Sequence, residues 1–286
     1  MDNEGVGYAI IVNCPLNNKM SVITKRVGQL EYLTAENIGA PHCFTTRLGG
    51  VSTGHLASLN IGIHRGDDPR SVEENYRILA NALGFSMDKL VATRQTHSDI
   101  VLKVGQAQWG TALVEGASAE SDALVTNEPG TALVIYTADC TPILLWDPVT
   151  GAVGAAHAGW RGTAADIAGK TVRAMVSSFG CDPKNIRAAI GPNIGPCCFE
   201  TDRDVPDAMV LALGEAALPH IRQQGNKYYV NLKEINAQFL RRAGVEKIEI
   251  STACTACDTD RYWSHRKTGG LRGSQGAIIV CKEVDV

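Results

Sequence analysis

The chain has 286 residues, 44% hydrophobic and 20% charged, with a formal net charge of −3. That composition permits a full buried core and lacks the clustered basic charge of nucleic-acid-binding domains, so nucleic acid is not an expected partner. No apolar run approaches the roughly 20 residues that span a bilayer, and the acidic opening Met1-Asp2-Asn3-Glu4 lacks the basic start of a signal peptide; no membrane partner and a cytoplasmic location are expected.

The elements are read in chain order from periodicity and turn residues. Tyr8–Val12 and Met20–Thr24 are β-branched runs that predict a hairpin over about 8–24. Thr45-Thr-Arg-Leu-Gly-Gly-Val-Ser52 predicts a glycine-containing loop after a strand. Asp68 to Leu83 has helical spacing, with Val72, Tyr76, Leu79 and Leu83 on one face and Gly84 at the C-terminal cap. Strands are predicted at Ile100–Val104, Thr131–Tyr136, Ile143–Trp146 and Val153–His157, the last two joined by the turn 147–151. A helix is predicted from about Thr163 to Ser178, and others at about Asp204–Leu213 and Leu232–Gly244. Strands at Ile248–Ile250 and Ala277–Val280 close the chain. The order is α+β rather than a strict βαβ alternation. With no linker-like stretch, a single domain over 1–286 is expected, although the usual prior is roughly 150 residues per domain.

Nine cysteines, an odd number in a chain of this size, suggest thiols, metal ligands or a nucleophile rather than a disulfide scaffold. His97, Cys140 and His157 each fall at a strand end where a polar or glycine-rich loop begins. Two imidazoles and a thiolate suit zinc, and three protein ligands leave a fourth position open for chemistry. The spacing is equally compatible with hydrogen-bonded core histidines and a small buried thiol. Cys254-x-x-Cys257 is a metal-like pair with no second such pair, and Cys197-Cys198 is ambiguous; Cys14, Cys43, Cys181 and Cys281 read as packing residues. His42, His55, His64 and His220 read as polar loop or surface residues.

The local sequences narrow this. Thr46-Arg-Leu-Gly-Gly-Val-Ser52, Ser58-Leu-Asn-Ile-Gly62, Gln95-Thr-His97, Ala138-Asp-Cys-Thr-Pro142 and Ala156-His-Ala-Gly-Trp-Arg-Gly162 follow one another. Gly191-Pro-Asn-Ile194, Cys197-Cys-Phe-Glu200 and Ser264-His-Arg266 complete the series. From about residue 40 onward the chain resembles the bacterial family called multicopper polyphenol oxidases, laccase-domain proteins or peptidoglycan editing factors. The Ala-His-Ala-Gly-Trp-Arg-Gly piece is its most specific match. The resemblance implies a layered α/β/β/α sandwich of mixed sheets, cysteine-hydrolase-like, with zinc (copper as an alternative) on His97, Cys140 and His157. It also implies purine nucleoside phosphorolysis (adenosine, inosine, guanosine and methylthioadenosine), with adenosine deaminase and polyphenol oxidase side activities. Some members resemble amidohydrolases that remove a mis-incorporated amino acid from a UDP-MurNAc precursor. Two pieces depart from the pattern: Glu74-Asn-Tyr-Arg77, and Arg266-Lys-Thr-Gly-Gly-Leu-Arg272 with its extra glycine.

Within that expectation Cys140, His157, Asp139 and Arg161 are the catalytic candidates, with Asp139 orienting a ligand or substrate. Arg47, Asn60, Arg161, His265 and Arg266 are the candidates for binding substrate and phosphate. Arg47 and Arg161 have glycine neighbours that suit forked donors and backbone N–H groups around an anion, and a helix opening near Thr163 would add its positive end. The alternative for both arginines is a surface ion pair. The expected partners are a purine nucleoside and phosphate.

Three rivals are weighed on ligand supply. A true laccase needs many histidines, often as His-x-His, and the seven here include no such pair. A cytidine-deaminase site needs His-x-Glu with Pro-Cys-x-x-Cys, whereas the chain reads His157-Ala-Gly159 and Pro196-Cys-Cys-Phe199. A metal-free cysteine hydrolase, with Cys140 as nucleophile and His157 or His97 as base, uses the same atoms and stays open. A non-enzymatic, zinc-stabilised binding module is the remaining alternative.

Overall fold

Strands buried on both faces set the architecture of the computed structural model, which describes residues 22–114 and 119–282. In chain order the elements are β1 (Ile23–Val27), β2 (Leu30–Thr34), β3 (His42–Thr45), α1 (Pro69–Leu83), β4 (Leu90–Val91), β5 (Val101–Lys103), β6 (Ala123–Thr126) and β7 (Ala132–Thr137). They continue with β8 (Thr141–Trp146), β9 (Val153–Ala158), α2 (Trp160–Ala164), α3 (Ile167–Phe179), β10 (Arg187–Ile190), β11 (Glu200–Thr201) and α4 (Asp204–Leu213). The last are β12 (Ile221–Gln224), β13 (Lys227–Val230), α5 (Leu232–Arg242), β14 (Lys247–Ile250), α6 (His265–Thr268) and β15 (Gln275–Val280).

The strands form a six-stranded sheet in the order β1-β2-β3-β15-β7-β4, a second in the order β14-β10-β8-β9-β6-β5, and a three-stranded sheet β11-β13-β12. Both large sheets are mixed: β4 runs parallel to β7, β5 to β6 and β10 to β14, and the other pairs are antiparallel. The last described strand, β15, lies between β3 and β7 in the interior of the first sheet.

Successive strand residues point to opposite faces, and the buried clusters follow that period. Leu133 and Ile135 of β7 meet Leu144 and Ala155 between the two sheets, while Ala132 and Val134 face Val72, Tyr76 and Leu79 of α1. Ile143 and Leu145 of β8 turn the other way, onto Val172 and Met175 of α3 and Ile235 and Leu240 of α5. Each such side chain contributes about 1.5–3 kcal/mol on burial.

Several expectations change. The hairpin over 8–24 falls mostly outside the described residues, and the hairpin that is described is β1–β2, turning at Gly28 with φ +59°. The helix expected over 163–178 is two. The five-residue α2 starts at Trp160, and Asp166, in left-handed conformation at φ 58°, then caps α3 by accepting the Gly169 N–H at 3.0 Å. A helix therefore does not open at Thr163. His42 is a buried β3 residue and not a surface one: its Nε2 accepts the Ala35 N–H at 2.8 Å and its Nδ1 lies 2.8 Å from the Ala40 carbonyl. Cys43, Cys181 and Cys281 are buried in the packing.

Candidate active site

The β8–β9 hairpin does most of the positioning. Its register pairs Thr141 with Ala158 and Pro142 with His157, which sets Cys140, just before β8, beside Gly159, just after β9. Gly159 is required there, because a Cβ would stand 2.7 Å from the His97 ring and 3.3 Å from the Cys140 sulfur. On the other flank β6 pairs with β9, and the His157 N–H donates to the Asp122 carbonyl at 2.7 Å.

His97 arrives on a loop that regular structure does not hold. Its φ is 59°, an uncommon value for a residue with a side chain. The buried Asp122 carboxylate supports it by accepting the N–H groups of Thr96 (3.1 Å), His97 (3.1 Å) and Ser98 (2.6 Å) and the Ser98 hydroxyl (2.7 Å). The same carboxylate takes His157 Nδ1 at 2.8 Å, which fixes that ring with Nε2 toward the site. One aspartate thus orients both histidines. Sequence reasoning missed it; the signal was an acid immediately preceding the apolar run Ala123–Val125.

The donor atoms of His97, Cys140 and His157 all lie within 4.8 Å of one another. The two rings meet edge to face, with centroids 5.0 Å apart, and His97 Nε2 is 3.8 Å from Cys140 Sγ. Zinc bonded to nitrogen and sulfur at about 2.0 and 2.3 Å would separate the two by about 3.5 Å in a tetrahedron. The arrangement fits a metal with one position open. Burial alone would raise the Cys140 thiol, but the charge and hydrogen bonding of His157, joined by His97, bring it down to about 6. Burial would lower His157; the Cys140 charge and the Asp122 bond push it up to about 9. Burial likewise opposes ionisation of Asp122, yet the bonds from His157 and Ser98 hold it well below the usual carboxylate range.

Asp139 also has a left-handed backbone, at φ 87°, a conformation that costs on the order of 1–3 kcal/mol. Its buried carboxylate is fully engaged: Oδ1 accepts from Thr255 Oγ1 at 2.6 Å, and Oδ2 from Ser264 Oγ at 3.1 Å and the Arg266 N–H at 2.7 Å. It pins the C-terminal loops to the Cys140 turn.

These groups open into a cavity of about 460 Å³, within the range of small-molecule sites. His265 and Arg266 lie on its lining, although Arg266 Nη1 already donates to the Cys198 and Glu200 carbonyls. The other anion candidates lie elsewhere. Arg47 is off the lining: its guanidinium donates to the carbonyls of Ala57 (3.1 and 2.8 Å) and Thr259 (2.9 Å) and stacks 3.8 Å over Trp263. Asn60 is buried and bonded to Gly62, Asp67 and Ser274. Arg161 is exposed, stacked on Trp160 and away from the cavity.

In their place the cavity wall carries Arg65 and Arg272. Arg65 Nε and Arg272 Nη1 both reach Ser274 Oγ, at 3.3 and 3.1 Å, and Arg272 Nε is buried without a hydrogen-bond partner. Among the described residues neither makes an ion pair. Burial first, and then repulsion by Arg65, lower Arg272 to about 10. Their signal was faint: Arg65 lies just past the Ser58–Gly62 piece, and Arg272 follows the extra glycine.

Residues 41–282 match the family described as multi-copper polyphenol oxidoreductase laccase. The chain belongs to that family. Among its laccase-family relatives, a purine nucleoside phosphorylase YlmD of Geobacillus stearothermophilus is 40% identical over 250 residues, 86% of this chain and 91% of the relative. A purine nucleoside phosphorylase of Deinococcus radiodurans is 40% identical over 252 residues, 87% and 92% of the two chains. The crystal structure of YlmD from Geobacillus stearothermophilus superposes with a TM-score of 0.86 at 37% identity, covering 92% of this chain and 100% of that one. No helix among the described residues is long and apolar enough to cross a membrane.

Proposed function

We propose that this laccase-family protein is a zinc-dependent purine nucleoside phosphorylase, acting as one catalytic domain in the cytoplasm. The observation that carries the reading is the pair Arg65 and Arg272, without an ion-pair partner among the described residues and lining the same cavity as a His-Cys-His group. A phosphate dianion held by the two guanidinium groups would relieve their repulsion. The relatives' names and the interlocked position of β15 support the activity and the single domain.

Phosphorolysis joins a phosphate oxygen to C1′ of the sugar and breaks its bond to the purine. The electron pair leaves on the base, which takes up a proton. Arg65 and Arg272 hold the nucleophile at one end of the cavity. Tyr136, Ile194 and Phe199 offer apolar lining for the base. His64 or His265, both on the lining and outside the metal group, would protonate the departing purine. His97, Cys140 and His157 would hold zinc, with Asp122 fixing the two rings; bound there, zinc supplies a Lewis acid for a substrate or water oxygen. Adenosine deamination, and weak phenol oxidation with copper, are secondary activities of the same site. The test is inosine turnover with and without phosphate. Release of base together with pentose 1-phosphate, only when phosphate is present, is expected; phosphate-independent release would sink the reading.

One observation favours a second reading. Cys140, His157 and Asp122 form a thiol–imidazole–carboxylate line, the arrangement of a cysteine hydrolase. In that reading, metal-free Cys140 attacks an amide, as in amino-acid editing of a UDP-MurNAc precursor, and the fold is cysteine-hydrolase-like. Amide hydrolysis by metal-free protein that survives dialysis against chelator would favour it.

A further inference from the structure

The phosphorylase chemistry leaves unused a group of four cysteines that lie together. Cys197 and Cys198 sit on the turn that follows Asn193–Gly195, and Cys254 and Cys257 on the loop after β14. A bridge between Asn193 and Cys254, with the Thr255 N–H donating to the Asn193 carbonyl at 3.0 Å, brings the two loops together. All four sulfurs lie within 4.8 Å of one another, with Cys257 Sγ 3.5 Å from that of Cys197 and 3.3 Å from that of Cys198. Four thiolates around one zinc ion at about 2.3 Å are separated by about 3.8 Å along each tetrahedral edge. A disulfide would join two of the four sulfurs and leave the other pair with no reason to converge.

The backbone is shaped to the same end. The Gly195 N–H donates to Cys254 Sγ at 3.1 Å, an orienting bond of the kind that supports metal-bound thiolates. A Cβ on Gly195 would meet Cys254 Cβ at 3.2 Å and Cys197 Sγ at 3.3 Å, so the backbone of the turn approaches the sulfurs closely there.

We infer that Cys197, Cys198, Cys254 and Cys257 form a second metal site, which holds one zinc ion as a closed tetrathiolate and ties the two loops together. Four protein ligands leave no position for substrate, so the site is structural. Its effect on the active site is indirect. Phe199, on the cavity lining, follows Cys198, and Thr255, beside Cys254, donates to Asp139.

The test counts zinc in protein purified without added metal, in three forms: wild type, Cys254→Ser/Cys257→Ser, and His97→Ala/His157→Ala. The cysteine variant is expected to lose about one zinc per chain relative to wild type, and the histidine variant to retain about one. X-ray absorption of the wild type guards against misfolding of either variant. A zinc shell dominated by sulfur supports the tetrathiolate, and a shell with no more than one sulfur per zinc overturns it. Unchanged zinc in the cysteine variant also overturns it, as does iron in place of zinc, or a peptide linking two of these cysteines two hydrogens lighter than the thiols. If the phosphorylase site held no metal, wild type would still show one sulfur-coordinated zinc, which separates the two failures.

Discussion

The two walls of the cavity are built by different means. The His97–Cys140–His157 wall rests on a strand register and one buried aspartate. The arginine wall rests on loops, with Arg65 and Arg272 sharing a single serine hydroxyl. The first is braced by hydrogen bonds among its own residues; the second holds like charges together. Preorganised geometry suits groups that must meet a metal within tenths of an ångström, whereas an anion tolerates adjustable donors.

The widest separation is expected in thiol reactivity, because it tests whether the first wall activates its cysteine. In metal-free protein Cys140 is a thiolate above about pH 6, while Cys181 and Cys281, raised to about 12 mainly by burial, stay protonated. At neutral pH their thiolate fractions differ by roughly four to five orders of magnitude. Iodoacetamide followed by peptide mass mapping should modify Cys140 and spare the other two, with the Cys140 rate rising through pH 6. Equal labelling of all three would break the comparison.

Asp122→Asn should follow, with a loss of about 3 kcal/mol or more in urea unfolding, because a buried carboxylate bonded to an imidazole and three N–H groups is replaced. The pH window has two edges in metal-free protein. Asp122 is depressed, so its contribution is present above the ordinary carboxylate range and is lost as the pH falls toward its folded value. His157 is raised, so its contribution is full below its unfolded value of 6.5 and is lost as the pH rises through about 9. Wild type should therefore lose stability on both sides of that window, and the variant should show a flatter profile. A variant as stable as wild type at pH 6 would remove the buried support from the account.

How much could be read beforehand follows the same division. Strands β7, β8 and β9 and helix α1 were legible because two-residue and helical periods mark buried faces, and the turn 147–151 sets the hairpin that aligns Cys140 with His157. Asp122 and Arg272 were not, because their roles depend on which strands and loops become neighbours: Asp122 lies 35 residues from His157. Arg47 misled for the opposite reason. A glycine-flanked arginine looks like an anion ligand, but here its donors close a loop through backbone carbonyls.

On the second wall, Arg272→Ala should raise the KM for phosphate by about 10- to 100-fold, the equivalent of losing about 1.5–3 kcal/mol from a charged hydrogen bond. Zinc content should be unchanged. Initial rates at varied phosphate measure the first and metal analysis the second; loss of both together would mean that the walls are not independent.

The smallest effect is expected at Arg161, and it sharpens the contrast because this arginine lies within the most family-specific segment of the chain. Its guanidinium rests 4.3 Å over Trp160 at the surface, and the five-residue α2 begins before it and ends at Ala164. An exposed stacked cation contributes about 0.5–1 kcal/mol, so Arg161→Ala should leave the phosphate KM within about twofold of wild type. Arg47→Ala, which strips donors from the Ala57 and Thr259 carbonyls, should instead lower the thermal midpoint with little change in KM. A phosphate KM raised tenfold by Arg161→Ala, with Arg272→Ala silent, would move the anion site to the far side of β9 and leave Arg65 and Arg272 without a ligand to explain them.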